Sequence, residues 1–127
     1  MGYRSQVVLA ISKHLTPFLT LATSQNAEAQ ALVFKYADTF ERDYGGDKSW
    51  LIVWEGIKWY DSYPDIQAIE RFVAEAECDE YEFEDDDGKQ GLSSEHVRFV
   101  RVGEEDGDIE TRGSGFWDIY PSTHICY

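Results

Sequence analysis

Positive charge is scarce in this sequence. Eleven Lys and Arg stand against 25 Asp and Glu, giving a formal charge of -14 over 127 residues. Binding free nucleic acid depends on cations that release counterions from phosphates, so direct nucleic-acid binding is excluded as an expectation. An anionic membrane surface is excluded by the same sign. Cysteine is nearly missing: Cys78 and Cys126 are too few for a disulfide scaffold, and a reducing, cytosolic setting is expected. No stretch approaches the roughly 20 apolar residues of a membrane helix. The opening MGYRSQ has no apolar run of the signal-peptide kind, and Gln6 stands where a myristoylation signal needs Ser or Thr.

Spacings that announce chemistry are also lacking. There is no GxGxxG, no P-loop, no HExxH and no CxxC, and GSG at 113–115 is not the GxSxG of a nucleophile elbow. His124 and Cys126 stand two apart, but zinc needs more ligands than that. No catalytic residue, metal ligand or cofactor is therefore assigned, and an enzyme is not expected.

What is present is a core. With 43% hydrophobic and 15% aromatic residues, the chain is expected to fold as one domain over residues 1–127. VVLAI (7–11) reads as a buried strand. Ser12 or Thr16 offers an N-cap, with Pro17 in a first helical turn, and helix extends from Pro17 to about Tyr36 with a break at Asn26. Phe40, Arg42 and Tyr44 alternate as a short strand, Gly45-Gly46 marks a turn, and SWLIVW (49–54) is strongly strand-like. Glu55-Gly56 is read as the turn of a hairpin returning through IKWY (57–60).

Ser62 is then expected to cap a helix, with Pro64 in its first turn and Asp65 three residues on. Its apolar stripe is Ile66, Ile69, Phe72, Val73 and Ala76. HVRFVRV (96–102), a turn at 104–108, DIETR (108–112) and FWDIYPSTHICY complete a series of strands. The order predicts an α+β fold: a mainly antiparallel sheet with two helices on one face, ferredoxin-like with added strands.

The most distinctive segment is ECDEYEFEDDD at 77–87. Glu80, Glu82 and Glu84 alternate with Tyr81 and Phe83, so an extended chain sends the carboxylates one way and the rings the other. A short edge strand or an ordered loop pinned by its aromatics is expected, with the acids in water. Acidic edges also serve simply to block unwanted strand pairing. The D-x-[DN]-x-[DN]-G spacing of an EF-hand is not matched, and counted from Glu82 it is Ser93 that stands at the closing position requiring Glu. A second acidic group follows at Glu104, Glu105, Asp106 and Asp108, with Asp38, Glu41, Asp43 and Asp47 scattered before the strand-like run. Arg98, Arg101 and Arg112 are expected to pair with acids across strands. Of four tryptophans, Trp54 or Trp59 is a candidate exposed anchor.

The segments MGYRSQVVLAI, IKWYDSYPDIQAIERFV and FVRVGEEDGDIETRG resemble a group of small acidic proteins encoded by tailed bacteriophages. Many of these start Met-Gly-Tyr-Arg-Ser and carry a K-W-Y-x-x-Y-P-like segment, here Lys58, Trp59, Tyr60, Tyr63 and Pro64. The resemblance implies an accessory phage protein in the cytoplasm of an infected bacterium. Small acidic phage proteins often inhibit restriction enzymes, CRISPR complexes or other nucleases by occupying surfaces meant for nucleic acid.

The leading expectation is thus a DNA-mimicking inhibitor that docks on a basic, nucleic-acid-binding surface of a host protein. Its contact residues would be Glu77, Asp79, Glu80, Glu82, Glu84, Asp85, Asp86, Asp87, Glu104, Glu105, Asp106 and Asp108. A second expectation is a nucleotide-binding or sequestering protein, or a small enzyme. Trp59, Tyr60 and Trp117 would line its pocket, and Arg4 or Arg112 would grip a phosphate. A third is a minor virion component.

Overall fold

The computed structural model describes residues 2–122 and 124–127; Met1 and Thr123 lie outside it. Its centre is the apolar run near the start. Strand β1 (Ser5–Ile11) pairs antiparallel with β3 (Ser49–Ile57) on one side and β4 (Val97–Val102) on the other. Strand β2 (Thr39–Tyr44) joins β3, and β5 (Ile109–Arg112) joins β4. The resulting sheet has the order β2-β3-β1-β4-β5 and every neighbouring pair is antiparallel.

Both faces of β1 are buried, which explains why its sequence is continuously apolar rather than alternating. Val7, Leu9 and Ile11 face the helices. Val8 and Ala10 face the opposite layer, beside Leu51, Val53 and Val100.

The helical layer comprises α1 (Thr16–Ser24), α2 (Ala27–Phe34) and α3 (Pro64–Glu77). Among the described residues there are three α-helices where two were expected, because Asn26 divides the first. Its Oδ1 accepts from the amides of Glu28 and Ala29 at 2.9 and 3.0 Å, an N-cap that starts α2 afresh. The expected cap of α1 is corrected: Leu15 precedes the helix, and no side chain caps it.

The cap of α3 is corrected as well. Tyr63, not Ser62, precedes it, because Pro64 at the helix start holds the preceding residue extended, at φ -82 and ψ 129. The stripe of Ile66, Ile69, Phe72, Val73 and Ala76 is buried as its spacing predicts. Burying a side chain of the size of Phe72 contributes about 1.5–3 kcal/mol.

Of the two turns expected beside the strand-like run, the one at Glu55-Gly56 does not form and the one at Gly45-Gly46 does. β3 runs straight through Glu55 and Gly56 to Ile57, which pairs with Ser5 across a register shift. The tight turn is instead at Gly45 and Gly46, whose φ values of 73 and 77 suit glycine, between β2 and β3.

The C-terminal segment is two short strands, β6 (Tyr120–Pro121) and β7 (Ile125–Cys126), rather than one. It covers the second face of the sheet with Ile119 and Ile125. Arg98 holds it there, donating from Nε to the Ile119 carbonyl at 3.0 Å and from Nη1 to the Gly113 carbonyl at 3.1 Å. Arg98 thus spends its guanidinium on backbone, not on the expected acids. Among the described residues, no helix is long and apolar enough to cross a membrane.

Candidate functional site

The acidic run leaves α3 through Asp79, whose φ of 58 turns the chain sharply. Of the two expected forms it takes the loop, with a single isolated bridge between Glu84 and Gln90. The alternation nevertheless sorts the side chains. Glu80, Glu82 and Glu84 are exposed, while Tyr81 and Phe83 are partly buried against the helical core. The Tyr81 ring stacks on Phe18 and Phe72, with centroids at 4.6 and 5.4 Å. Its hydroxyl donates to Glu75 Oε2 at 2.7 Å. Burial first, then the Glu75 carboxylate, pushes the phenol far above its ordinary pKa.

Phe83 stacks on His14 at 5.1 Å and meets His96 edge-on at 4.9 Å. The loop tip closes on itself: Asp85 Oδ1 accepts from the amides of Asp87 and Lys89, both at 2.9 Å. The loop is therefore built on side-chain contacts from one end to the other.

Several of the expected contact acids are committed to internal bonds. Glu77 accepts from Arg112 Nε at 3.3 Å and from the Gly113 amide at 3.2 Å. Asp79 accepts from the Ser94 amide at 2.9 Å, which lowers its pKa. Asp86 pairs with Lys13 Nζ at 3.1 Å, and that ammonium lowers its pKa. In the second cluster, Glu104 accepts from the Arg4 amide at 3.1 Å. Asp108 takes Arg101 Nη2 at 2.8 Å and the Tyr3 hydroxyl at 2.6 Å. Arg101 first, then Tyr3, brings the Asp108 carboxyl down to about 2.

Among the described residues, the side chains of Glu80, Glu82, Glu84, Asp87, Glu105 and Asp106 form no ion pair. These six do not make one surface. The 79–90 loop sits where β1 ends and β4 begins, and the 104–108 turn sits where β4 ends beside Tyr3. Along β1, that separation is on the order of 20 Å.

The loop's end of the sheet also carries a cleft of about 270 Å³, rimmed by Asp86 and floored by Ser12, Ser49 and His96. Ser12 Oγ accepts from the His14 amide at 3.2 Å and lies 2.8 Å from His96 Nδ1. Burial, then the neighbouring His14, holds the His96 imidazole below its ordinary pKa, which favours the neutral ring. Phe116 lines the same cleft, and the next residue, Trp117, is 79% exposed. Trp54 and Trp59 are instead buried at 2% and 8%, their rings tilted against each other within the core, so the exposed Trp117 is not either of those expected.

A wider cleft of about 570 Å³ includes Trp59 and Tyr60, as the small-molecule expectation has it, but Trp117 is not among its lining residues. Arg101 lines it, while Arg4 and Arg112, the expected phosphate grips, do not. Arg101 is held by Asp108 and Glu110, and Arg112 by Glu70 and Glu77. Arg4 donates from Nη1 to the Gly56 carbonyl at 2.9 Å. Glu70, half buried beneath the Trp59 indole N–H at 2.7 Å, has its pKa raised by burial against the pull of that bond. The pairing of Arg101 and Arg112 with these acids orders the β4–β5 edge, whereas Arg4 forms no ion pair among the described residues.

Residue types alone did not reveal the Ser12–His96 pair, which joins positions 84 apart. Only the alternation of Val8, Ala10 and Ser12 hinted that Ser12 shares the second face. Among the described residues, no group of three or more His, Cys, Asp or Glu is placed to hold a metal ion. Cys78 and Cys126 are free thiols, the first exposed and the second half-buried. Compared with known proteins, the chain is matched by no family model, by no curated protein and by no solved structure.

Proposed function

We propose that this chain is a binding protein that docks on a basic protein surface through the end of its sheet bearing the 79–90 loop. One observation carries the reading: Tyr81 and Phe83 are packed into the core while Glu80, Glu82, Glu84 and Asp87 carry no ion pair. Anions fixed in place present a shaped field to a cationic surface, whereas anions on a free tether present only an average one. The net charge of -14 adds long-range attraction. Exposed Trp117, next to Phe116 of the adjoining cleft, supplies an apolar anchor.

The partner class follows from the sign of the charge. Clustered Lys and Arg mark surfaces that bind nucleic acid, so the proposal extends to inhibition of a host nucleic-acid-binding or defence complex by mimicry of DNA. Resemblance to small acidic tailed-phage proteins supports a place in the infected bacterial cytoplasm. The proposal also covers topology: β2-β3-β1-β4, with helices before β2 and before β4, supports a ferredoxin-like core with β5 added at one edge.

The experiment is capture from a bacterial lysate at low ionic strength, followed by elution in a salt gradient. A specific protein should be retained and released as salt rises. Glu80→Gln, Glu82→Gln, Glu84→Gln and Asp87→Asn combined should abolish retention. Retention that ignores both salt and these substitutions overturns the proposal.

A further inference from the structure

Among the described residues, one buried side-chain polar atom, the Ser49 hydroxyl, lacks a partner. Ser49 is 1% exposed, its Oγ forms no hydrogen bond, and it lines the cleft beside the acidic loop. β1 and β3 pair through Ile11 and Trp50, and the next cross-strand step sets Ser12 beside Ser49. The Ser12 amide in turn donates to the His96 carbonyl at 3.0 Å. His96, Ser12 and Ser49 therefore form a polar row across three strands, at the point where the apolar second face stops. The Ser12 hydroxyl is already engaged by the His14 amide and His96 Nδ1; the Ser49 hydroxyl is not. A buried hydroxyl without a partner is uncommon enough to need a reason, and a ligand atom is one.

The charges around the cleft decide what that ligand is. Asp47, Asp86 and Glu95 line it against the single ammonium of Lys13. Lys13 is itself held by Asp86 at 3.1 Å, and His14 Nε2 approaches the same carboxylate at 3.4 Å. Glu95 forms no ion pair, and Asp47 uses one oxygen to accept from the Ser49 amide at 3.1 Å. An anion would meet excess negative charge here, in a molecule already strongly negative. A hydrogen-bond donor carrying positive charge meets two available carboxylates, a vacant hydroxyl acceptor and the Phe116 ring.

We propose that this cleft binds an organic cation, an alkylammonium or guanidinium group, with Ser49 Oγ accepting from it and Asp47 and Glu95 balancing its charge. A volume of about 270 Å³ admits a group the size of an arginine or lysine side chain, or a small free amine. The site does not depend on the docking proposal above, although a basic partner would be one source of such a group.

The test uses the whole chain and follows the imidazole resonances of His14 and His96 by NMR. Agmatine and n-butylammonium are titrated, with inorganic phosphate and acetate as the anionic controls. The cations should give saturable shifts and the anions none. Ser49→Ala and Glu95→Gln should each weaken agmatine binding by about fivefold or more, the effect of one lost hydrogen bond. Ser49→Ala should fold as well as the wild type without ligand, since it deletes an unpaired hydroxyl. Absence of saturation up to about 50 mM agmatine, or binding unaltered by both substitutions, overturns the proposal. So does tighter binding of phosphate.

A short arginine-containing peptide separates the two sources. Tighter binding than agmatine assigns the site to a protein side chain, and weaker binding assigns it to a free amine. The combined Glu80→Gln, Glu82→Gln, Glu84→Gln, Asp87→Asn variant should keep agmatine binding while losing partner capture, so either proposal can fail alone.

Discussion

Tyr81 donates its hydroxyl hydrogen to Glu75 Oε2 at 2.7 Å, tying the acidic loop back to the helix it has just left. The bond adds a polar tie to a loop whose neighbouring side chains, Glu80 and Glu82, are exposed. The Tyr81 ring is packed on Phe18 and Phe72, so the core adds to the loop's own backbone bonds, such as that from the Gly91 amide to the Phe83 carbonyl at 2.9 Å.

Tyr81→Phe should keep the packing, lose the hydrogen bond and cost about 1 kcal/mol, whereas Tyr81→Ala should cost more and release the loop. Urea denaturation measures the first effect, and amide exchange across 79–90 the second. Exchange in Tyr81→Ala that matches the wild type would show that the ring does not pin the loop.

Gly91 tests the same anchor from the other side. A Cβ built there would collide with the Phe83 ring, and its backbone is not in the left-handed region, so packing alone is at stake. Gly91→Ala should destabilise by about 1–3 kcal/mol and displace Phe83 from His14 and His96. The His14 and His96 ring resonances should shift; if they stay put, the contact is not tight.

Asp108 gives a pH dependence of definite sign. Its carboxyl titrates at about 2 in the folded protein against 3.8 ordinarily, chiefly because of Arg101. A depressed folded value means that the unfolded chain binds the proton first as pH falls. The stabilisation is therefore complete above about pH 4 and is lost as pH falls through about 2. Asp108→Asn should lower the urea midpoint at neutral pH, and its deficit relative to wild type should shrink towards about pH 2. A deficit independent of pH would rule out the carboxylate charge as the cause.

The tryptophans should separate cleanly. Trp54, 2% exposed and donating from Nε1 to the Leu32 carbonyl at 3.1 Å, should cost roughly 3–5 kcal/mol on replacement by Ala. Trp117→Ala should change stability by less than about 0.5 kcal/mol but weaken partner capture. Capture unaffected by Trp117→Ala would remove it as an anchor.

The two acidic groups should also behave differently. Glu104→Gln, Glu105→Gln and Asp106→Asn together lie at the far end of β1 from the loop and should leave capture nearly intact at moderate salt, where screening limits their reach. A loss equal to that from the loop substitutions would mean that both ends of the sheet contact the partner.

Local pattern determined a good deal here. The apolar run at 7–11, the stripe from Ile66 to Ala76 and the alternation from Glu80 to Glu84 each declare which side chains are buried, because the repeat of a helix or an extended chain is a local property. Asn26 declared the break between α1 and α2 for the same reason: its side chain bonds amides two and three residues away.

Tertiary structure decided everything that depends on neighbours distant in sequence. Glu55-Gly56 looks like a turn until β1 supplies a partner as far as Ile57. Which acids are neutralised was equally invisible, because Arg112 reaches Glu77 across 35 positions and Lys13 reaches Asp86 from a segment still more distant in sequence. The row of His96, Ser12 and Ser49 exists only because three strands end at one level. Composition set the sign and amount of charge; the long-range pairing of strands set where that charge is left free, since only folding brings distant cations to some carboxylates and not to others.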